Sequence, residues 1–323
     1  MGASATVHAE CAFDDKVFPK DGVKLSFIQE FFAARGGRDK LEGLTTTEVC
    51  EQHIKPLTAS TKSSFCELLK LDEHPAVHKA DVFVSHAWRY KFLDVVDTLV
   101  SHLENEPDIV IWFDLFSNNQ HKATVLPYEW WCTTFKSAIG EMDRMIMVLS
   151  PFHDPIPYTR AWCIFEAYCC ADNKKSFEIA MRQEEEHNFL TEAKNDPTNT
   201  VNKMLSVIDA GKSECFIPAD KDRIFQAIRE TVGFHHINSM LFEQFRTWVI
   251  KTGQKALDNN TDKEERLLLL NMLGKLYEGQ GKYEDAQPLY EECVELAIEI
   301  LGENHPNTKS IKGNYDYLLS QMK

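Results

Sequence analysis

Between Ala80 and about Phe216 the chain alternates short continuous apolar runs with stretches of helical periodicity. Apolar runs of this length suit strands covered on both faces, which belong to parallel sheets flanked by helices. The strand candidates are Asp81–Ser85, Ile109–Phe113, Met145–Leu149, Phe177–Met181 and Glu214–Ile217, and the helices between them are Phe92–Glu104, Trp130–Met142, Thr159–Ala171 and Thr200–Ala210. Five strands joined by helices imply right-handed crossovers and an α/β fold with a five-stranded doubly wound parallel sheet. In such a sheet the loops leaving the carboxyl ends of the strands converge on a crevice, where ligands bind.

Other patterns flank this section. Residues 1–20 are polar and irregular, as a loose tail is. Residues 21–79 read as a helical lead-in: apolar residues recur at helical spacing (Phe27, Ile28, Phe31, Phe32, then Val49, His53, Ile54, Leu57), broken at Gly36-Gly37 and resumed after the cap-like Thr45-Thr46-Thr47. The α/β section takes 80–217. Residues 218–260 are linking helices, Lys221–Thr231 and Ile237–Leu257, the second amphipathic through Met240, Leu241, Phe245, Trp248 and Val249. In 261–323 the small residues Gly274 and Ala286 allow two helices to pack closely while Leu270, Leu273, Tyr277, Tyr283, Leu289 and Tyr290 fill the seam, the grammar of a helical-hairpin repeat.

With 43% hydrophobic and 26% charged residues, the composition is that of a globular protein, and a formal charge of −15 disfavours a nucleic-acid surface, which needs clustered Lys and Arg. The nine cysteines are scattered through apolar patterns without paired spacing and read as reduced buried thiols of a cytoplasmic protein. No run of about 18 apolar residues is present, so a transmembrane segment is not expected. The opening Met1-Gly2-Ala3-Ser4-Ala5-Thr6 fits the myristoylation pattern, with no polybasic second signal after it.

Residues 267–323 resemble a tetratricopeptide repeat of the kinesin-light-chain kind, in which each hairpin ends on a Leu-Gly-x-x-His-Pro turn, here Leu301 to Pro306. The resemblance covers one hairpin and the first helix of a second, and it implies a peptide or protein partner. Residues 80–217 resemble a TIR domain, a flavodoxin-like module of innate-immune receptors and NAD-cleaving enzymes. Four pieces carry this likeness: Asp81-Val82-Phe83-Val84-Ser85, Ile111-Trp112-Phe113-Asp114, Met147-Val148-Leu149-Ser150-Pro151 and Trp162-Cys163-Ile164-Phe165-Glu166. The plant TIR pattern reads Trp-Cys-Leu-x-Glu at the last piece, and its glutamate, which family members use on NAD, falls on Glu166. Self-association is implied by the same resemblance. Two loops depart from the family: Leu115–His121 runs on without glycine to Pro127, and His86-Ala87-Trp88 stands where Phe-Arg-Gly is usual.

Trp162 and Glu166 lie one helical turn apart on a shared face. Cleaving NAD at its nicotinamide bond passes through an oxocarbenium-like ribose with a leaving group that is already cationic, so one carboxylate suffices without a general acid. Glu166 would serve as that carboxylate. Trp162, Trp88 or Phe116 would stack on a base, and Ser85, Asp114 and Asn118 would bind ribose or phosphate, with His86 in the same loop. NAD would be a substrate; no cofactor is expected. The rival reading pairs Glu166 with Arg160 or Arg144 and leaves Trp162 as core. No metal is expected, because His86, His121, His153, Asp114 and Asp154 match no ligand spacing. Cys163 and Cys169-Cys170 read as inert helix-core thiols, and Gln183–His187 as a solvated face. Two functions follow: a TIR-type signalling module that hydrolyses NAD, or a catalytically silent adaptor whose repeat helices bind a partner.

Overall fold

The computed structural model describes residues 17–121 and 131–323. Expectations placed on Gly2, Cys11, Pro127 and Trp130 lie outside the described residues. The chain forms two compact units: one takes in the described residues through Val148 together with Arg160–Ala180 and Glu214–Gly233, the other Leu149–Thr159, Met181–Ser213 and Phe234–Lys323.

The first unit is built on a six-stranded mixed sheet in the order β2-β1-β4-β3-β5-β6, with β1 (Asp21–Lys24), β2 (Val77–Lys79), β3 (Val82–Ser85), β4 (Val110–Phe113), β5 (Arg144–Val148) and β6 (Ser176–Ala180). Strands β4, β3, β5 and β6 are parallel, and β1 runs antiparallel to both β2 and β4. All four residues of β3 and of β4 are buried, as strands covered on both faces must be. Phe83 pairs with Trp112 across β3 and β4, their rings stacked at 4.6 Å. From β3 the chain passes to β4 on one side and then returns to β5 on the other. The switch point, and the crevice that goes with it, therefore lies at the carboxyl ends of β3 and β5.

The sheet departs from the expected five parallel strands in two ways. Glu214–Ile217 makes a single bridge, Arg160 to Glu214, and Pro218, which has no N–H to continue a ladder, opens the helix Pro218–Glu230 instead. At the other edge the lead-in, expected as helices alone, supplies β1 and β2. Gly22 is what admits β1: a Cβ there would stand 2.2 Å from the Ile111 carbonyl oxygen.

The helices of the lead-in form where the apolar spacing places them. Helix α1 (Phe27–Ala34) buries Phe27, Ile28, Phe31 and Phe32. Helix α2 (Thr46–Val49) starts from a capping box in which Glu48 N–H donates to Thr45 Oγ1 at 3.2 Å and Thr45 N–H to Glu48 Oε2 at 2.8 Å, and it runs on through a π-helical turn to Leu57. Helix α3 (Phe92–His102) follows β3, the single turn α4 (Asp114–Ser117) follows β4, and α5 (Ala161–Asp172) precedes β6.

The second unit is helical. Helix α6 (Gln183–Asn195) buries Phe189 and Ala193, and Phe189 packs on Trp248 with ring centroids 5.0 Å apart. Its polar first turn is more than a solvated face, since Glu185 accepts the Phe152 N–H at 2.7 Å. After α7 (Pro197–Ser206) and α8 (Gly233–Asp258) come α9 (Lys263–Gly279), α10 (Tyr283–Leu301) and α11 (Pro306–Gln321). Gly274 on α9 lets the Tyr290 ring of α10 into the seam, where a Cβ would meet it at 3.0 Å, and the Tyr290 hydroxyl donates to Glu278 Oε2 at 2.9 Å. Helix α10 ends at Gly302, whose φ of +88° suits glycine, and Pro306 opens α11. Among the described residues no helix is long and apolar enough to cross a membrane.

Candidate functional site

Three elements deliver polar side chains to the carboxyl edge of the parallel strands. Strand β3 ends on Ser85 and continues as His86-Ala87-Trp88; β4 ends where Asp114 begins α4; helix α5 carries Trp162 and Glu166 one turn apart. Ser85 Oγ donates to Glu166 Oε2 at 2.6 Å, tying the end of β3 to α5. The indole N–H of Trp88 donates to Asp114 Oδ2, tying the loop after β3 to the end of β4. His86 is buried between them, with Nδ1 3.9 Å from Asp114 Oδ1 and Nε2 3.1 Å from the Thr46 hydroxyl. Glu166, Trp162, Trp88 and Asp114 all keep partial access to solvent.

Burial governs the protonation of this cluster. Desolvation lifts the Glu166 carboxyl to about 8, with the charge of Asp114 adding to the rise, while the Ser85 hydrogen bond and the charge of Arg160 oppose it. Asp114 is lifted to about 6 by desolvation, against the Trp88 and Leu115 hydrogen bonds and Arg160. At neutral pH the aspartate is thus the charged member of the pair and the glutamate largely carries its proton. Desolvation and the charge of Arg160 push His86 down to about 3, so the ring is neutral. The Cys163 thiol donates to the His86 carbonyl at 3.7 Å, and burial raises it far from thiolate.

Glu166 is hydrogen-bonded to Ser85, and Arg144 takes no part: it pairs with Glu106 at 2.5 Å and Glu178 at 3.7 Å, its own residue opening β5 at the opposite edge of the sheet. Of the expected site residues, Ser85, His86, Trp88, Asp114, Trp162 and Glu166 come to one edge. Asn118, half-buried, ends α4 with its N–H donating to the Asp114 carbonyl at 3.0 Å. Phe116 is a correction: α4 folds it back among Phe31, Phe65, Phe92 and Phe113 at 0% exposure, and it offers no face to a ligand. Two contacts have no sequence signal. Gln120 Nε2 donates to the Asp114 carbonyl at 2.7 Å, and Thr46, legible only as part of a helix start, is the partner of His86. Among the described residues no group of three His, Cys, Asp or Glu side chains is placed to hold a metal ion, and His121 is bonded to the Thr58 hydroxyl at 2.8 Å.

The tetratricopeptide repeat family matches residues 266–307, which run from α9 through α10 to the start of α11. That match agrees with the seam of Gly274 and Tyr290 and bears on this part of the second unit. No curated protein and no solved structure matches the chain.

Proposed function

We propose that this protein is an interaction adaptor whose tetratricopeptide-type helices hold a protein or peptide partner. The observation that carries the reading is the repeat match over 266–307, on a hairpin packed through Gly274 and Tyr290. Stacked helical hairpins of this kind present extended binding surfaces. Apolar side chains are available on it, with Leu268 39% and Ile298 38% exposed. Affinity capture with the full chain should return a partner set that Leu268→Glu with Ile298→Glu removes and Glu166→Gln leaves intact. A set unchanged by the double substitution would place binding elsewhere.

A second activity is favoured by the Ser85–Glu166 bond at the carboxyl edge, beside a second carboxyl group at Asp114. In this reading the α/β unit is TIR-like and hydrolyses NAD to nicotinamide and ADP-ribose. The cationic nicotinamide ring draws Glu166 to its ionised form, which binds the ribose and stabilises its developing positive charge, Ser85 orients that carboxylate, Trp88 and Trp162 flank the base, and water adds to the sugar as nicotinamide leaves and a proton is released. Asp114 and Asn118 contact ribose or phosphate, and the α/β units associate with one another. Following nicotinamide release by the purified protein against Glu166→Gln tests it; equal rates remove Glu166 from the reaction.

A further inference from the structure

We infer that His86 is a positioning residue for the carboxyl edge: Asp114 selects the tautomer that carries its proton on Nδ1, and the buried Thr46 hydroxyl, donating to Nε2, holds the ring in place. The segment Leu44–Thr47 is strapped along the loop that follows β3. Thr46 N–H donates to the Tyr90 carbonyl at 3.0 Å, Thr47 N–H to the Trp88 carbonyl at 3.2 Å, and Phe92 N–H to the Leu44 carbonyl at 2.8 Å, while Thr45 and Lys91 form an antiparallel bridge. Thr46 is fully buried by this lacing, so its hydroxyl turns to His86 rather than to water.

A neutral imidazole has one N–H and one lone pair, and what each nitrogen faces decides which carries the proton. A hydroxyl serves either nitrogen equally well, because it can donate or accept. The other side of the ring is not indifferent. Asp114 Oδ1 stands 3.9 Å from Nδ1, buried and without a hydrogen-bond partner. A lone pair on Nδ1 would oppose that oxygen, whereas an N–H there is attracted to it across a gap longer than a hydrogen bond. The favoured arrangement runs from the Thr46 hydroxyl through Nε2 to Nδ1–H and Asp114 Oδ1, while Oδ2 takes the Trp88 indole. Both aspartate oxygens then face protons, and the acidic neighbour of Glu166 is held as a carboxylate in one orientation.

The tautomer is a property of the fold; its use in a reaction rests on the NAD-cleaving reading, so the two are measured separately. Nitrogen-edited NMR of the histidine rings in the full chain, with His86→Gln to assign the signal, reads the tautomer directly. The expected wild-type pattern is a protonated Nδ1 and an acceptor Nε2. Asp114→Ala, which removes the facing oxygen, should average that pattern, while Thr46→Ser, which keeps the hydroxyl, should retain it. A protonated Nε2 in the wild type overturns the inference, as does a folded Asp114→Ala with an unchanged pattern. Should Asp114→Ala not fold, the wild-type pattern decides. If nicotinamide release is present, Thr46→Val, which frees the ring, lowers kcat/KM roughly 10-fold, the size of loss seen when a residue that orients another is removed. An absent activity beside the expected tautomer rejects the NAD reading and leaves the positioning role standing.

Discussion

Replacing Glu166 by Gln should change how the stability of the first unit depends on pH, in a direction fixed by the surroundings of that carboxyl. Burial foremost, with the charge of Asp114 adding to it, holds Glu166 at about 8 against 4.5 for an ordinary glutamate. Between those values the folded chain keeps a proton that the unfolded chain has released. The stabilisation is whole below 4.5, falls as pH rises through the window, and is gone above about 8. At about 1.4 kcal/mol per unit the loss across the window reaches about 5 kcal/mol, and solvent screening at the partly open carboxyl brings it to about 3 kcal/mol. Glutamine has no proton to lose, and its amide oxygen still accepts from Ser85. Urea denaturation of both proteins from about pH 5 to about pH 8 reads the difference, in which the other titrating groups cancel. Wild type should lose stability relative to the variant as pH rises. Parallel curves would refute the reasoning and assign Glu166 an ordinary carboxylate, ion-paired with Arg160.

Gly22→Ala should destabilise the first unit by about 3 kcal/mol or more, measured by thermal melting, because a Cβ would stand 2.2 Å from a backbone oxygen of β4 that cannot give way. Gly274→Ala meets the edge of the Tyr290 ring at 3.0 Å, and the gain in helix preference offsets part of the clash, so a loss of about 1 kcal/mol is expected in the same assay. Burial lifts the thiols of Cys50 to about 11 and of Cys66 and Cys170 to about 12. Iodoacetamide at about pH 8 should therefore leave these three unmodified in the native protein and label them after unfolding, as peptide mass mapping will show.

The central strands are legible because strands covered on both faces are apolar, and Val82–Val84, Val110–Phe113 and Met145–Val148 lie within such runs. The two antiparallel strands, β1 and β2, are not. In β1 only Val23 is a branched apolar residue, and β2 offers His78 and Lys79 to solvent, as paired but outlying strands can. Glu214–Ile217 has strand-like residues, yet Pro218 ends the ladder and Phe216 is left 92% exposed. Helix α6 is hidden by its acidic first turn, Glu184 to Glu186, which masks the two residues it buries. At the site, Ser85 and Glu166 are legible because a strand end and a helix face each fix where a side chain goes. Phe116 deceives because residues after a strand end read as a loop, whereas this segment turns back into an aromatic cluster. The bond between Thr46 and His86 joins residues far apart in the chain, and no local pattern announces it.

Hydrogen–deuterium exchange of the full chain, alone and with a captured partner bound, tests the adaptor reading most directly. Protection should gather in Lys263–Gly279, Tyr283–Leu301 and Pro306–Gln321. Protection confined to the loops after β3 and β4, with these helices unchanged, would contradict it.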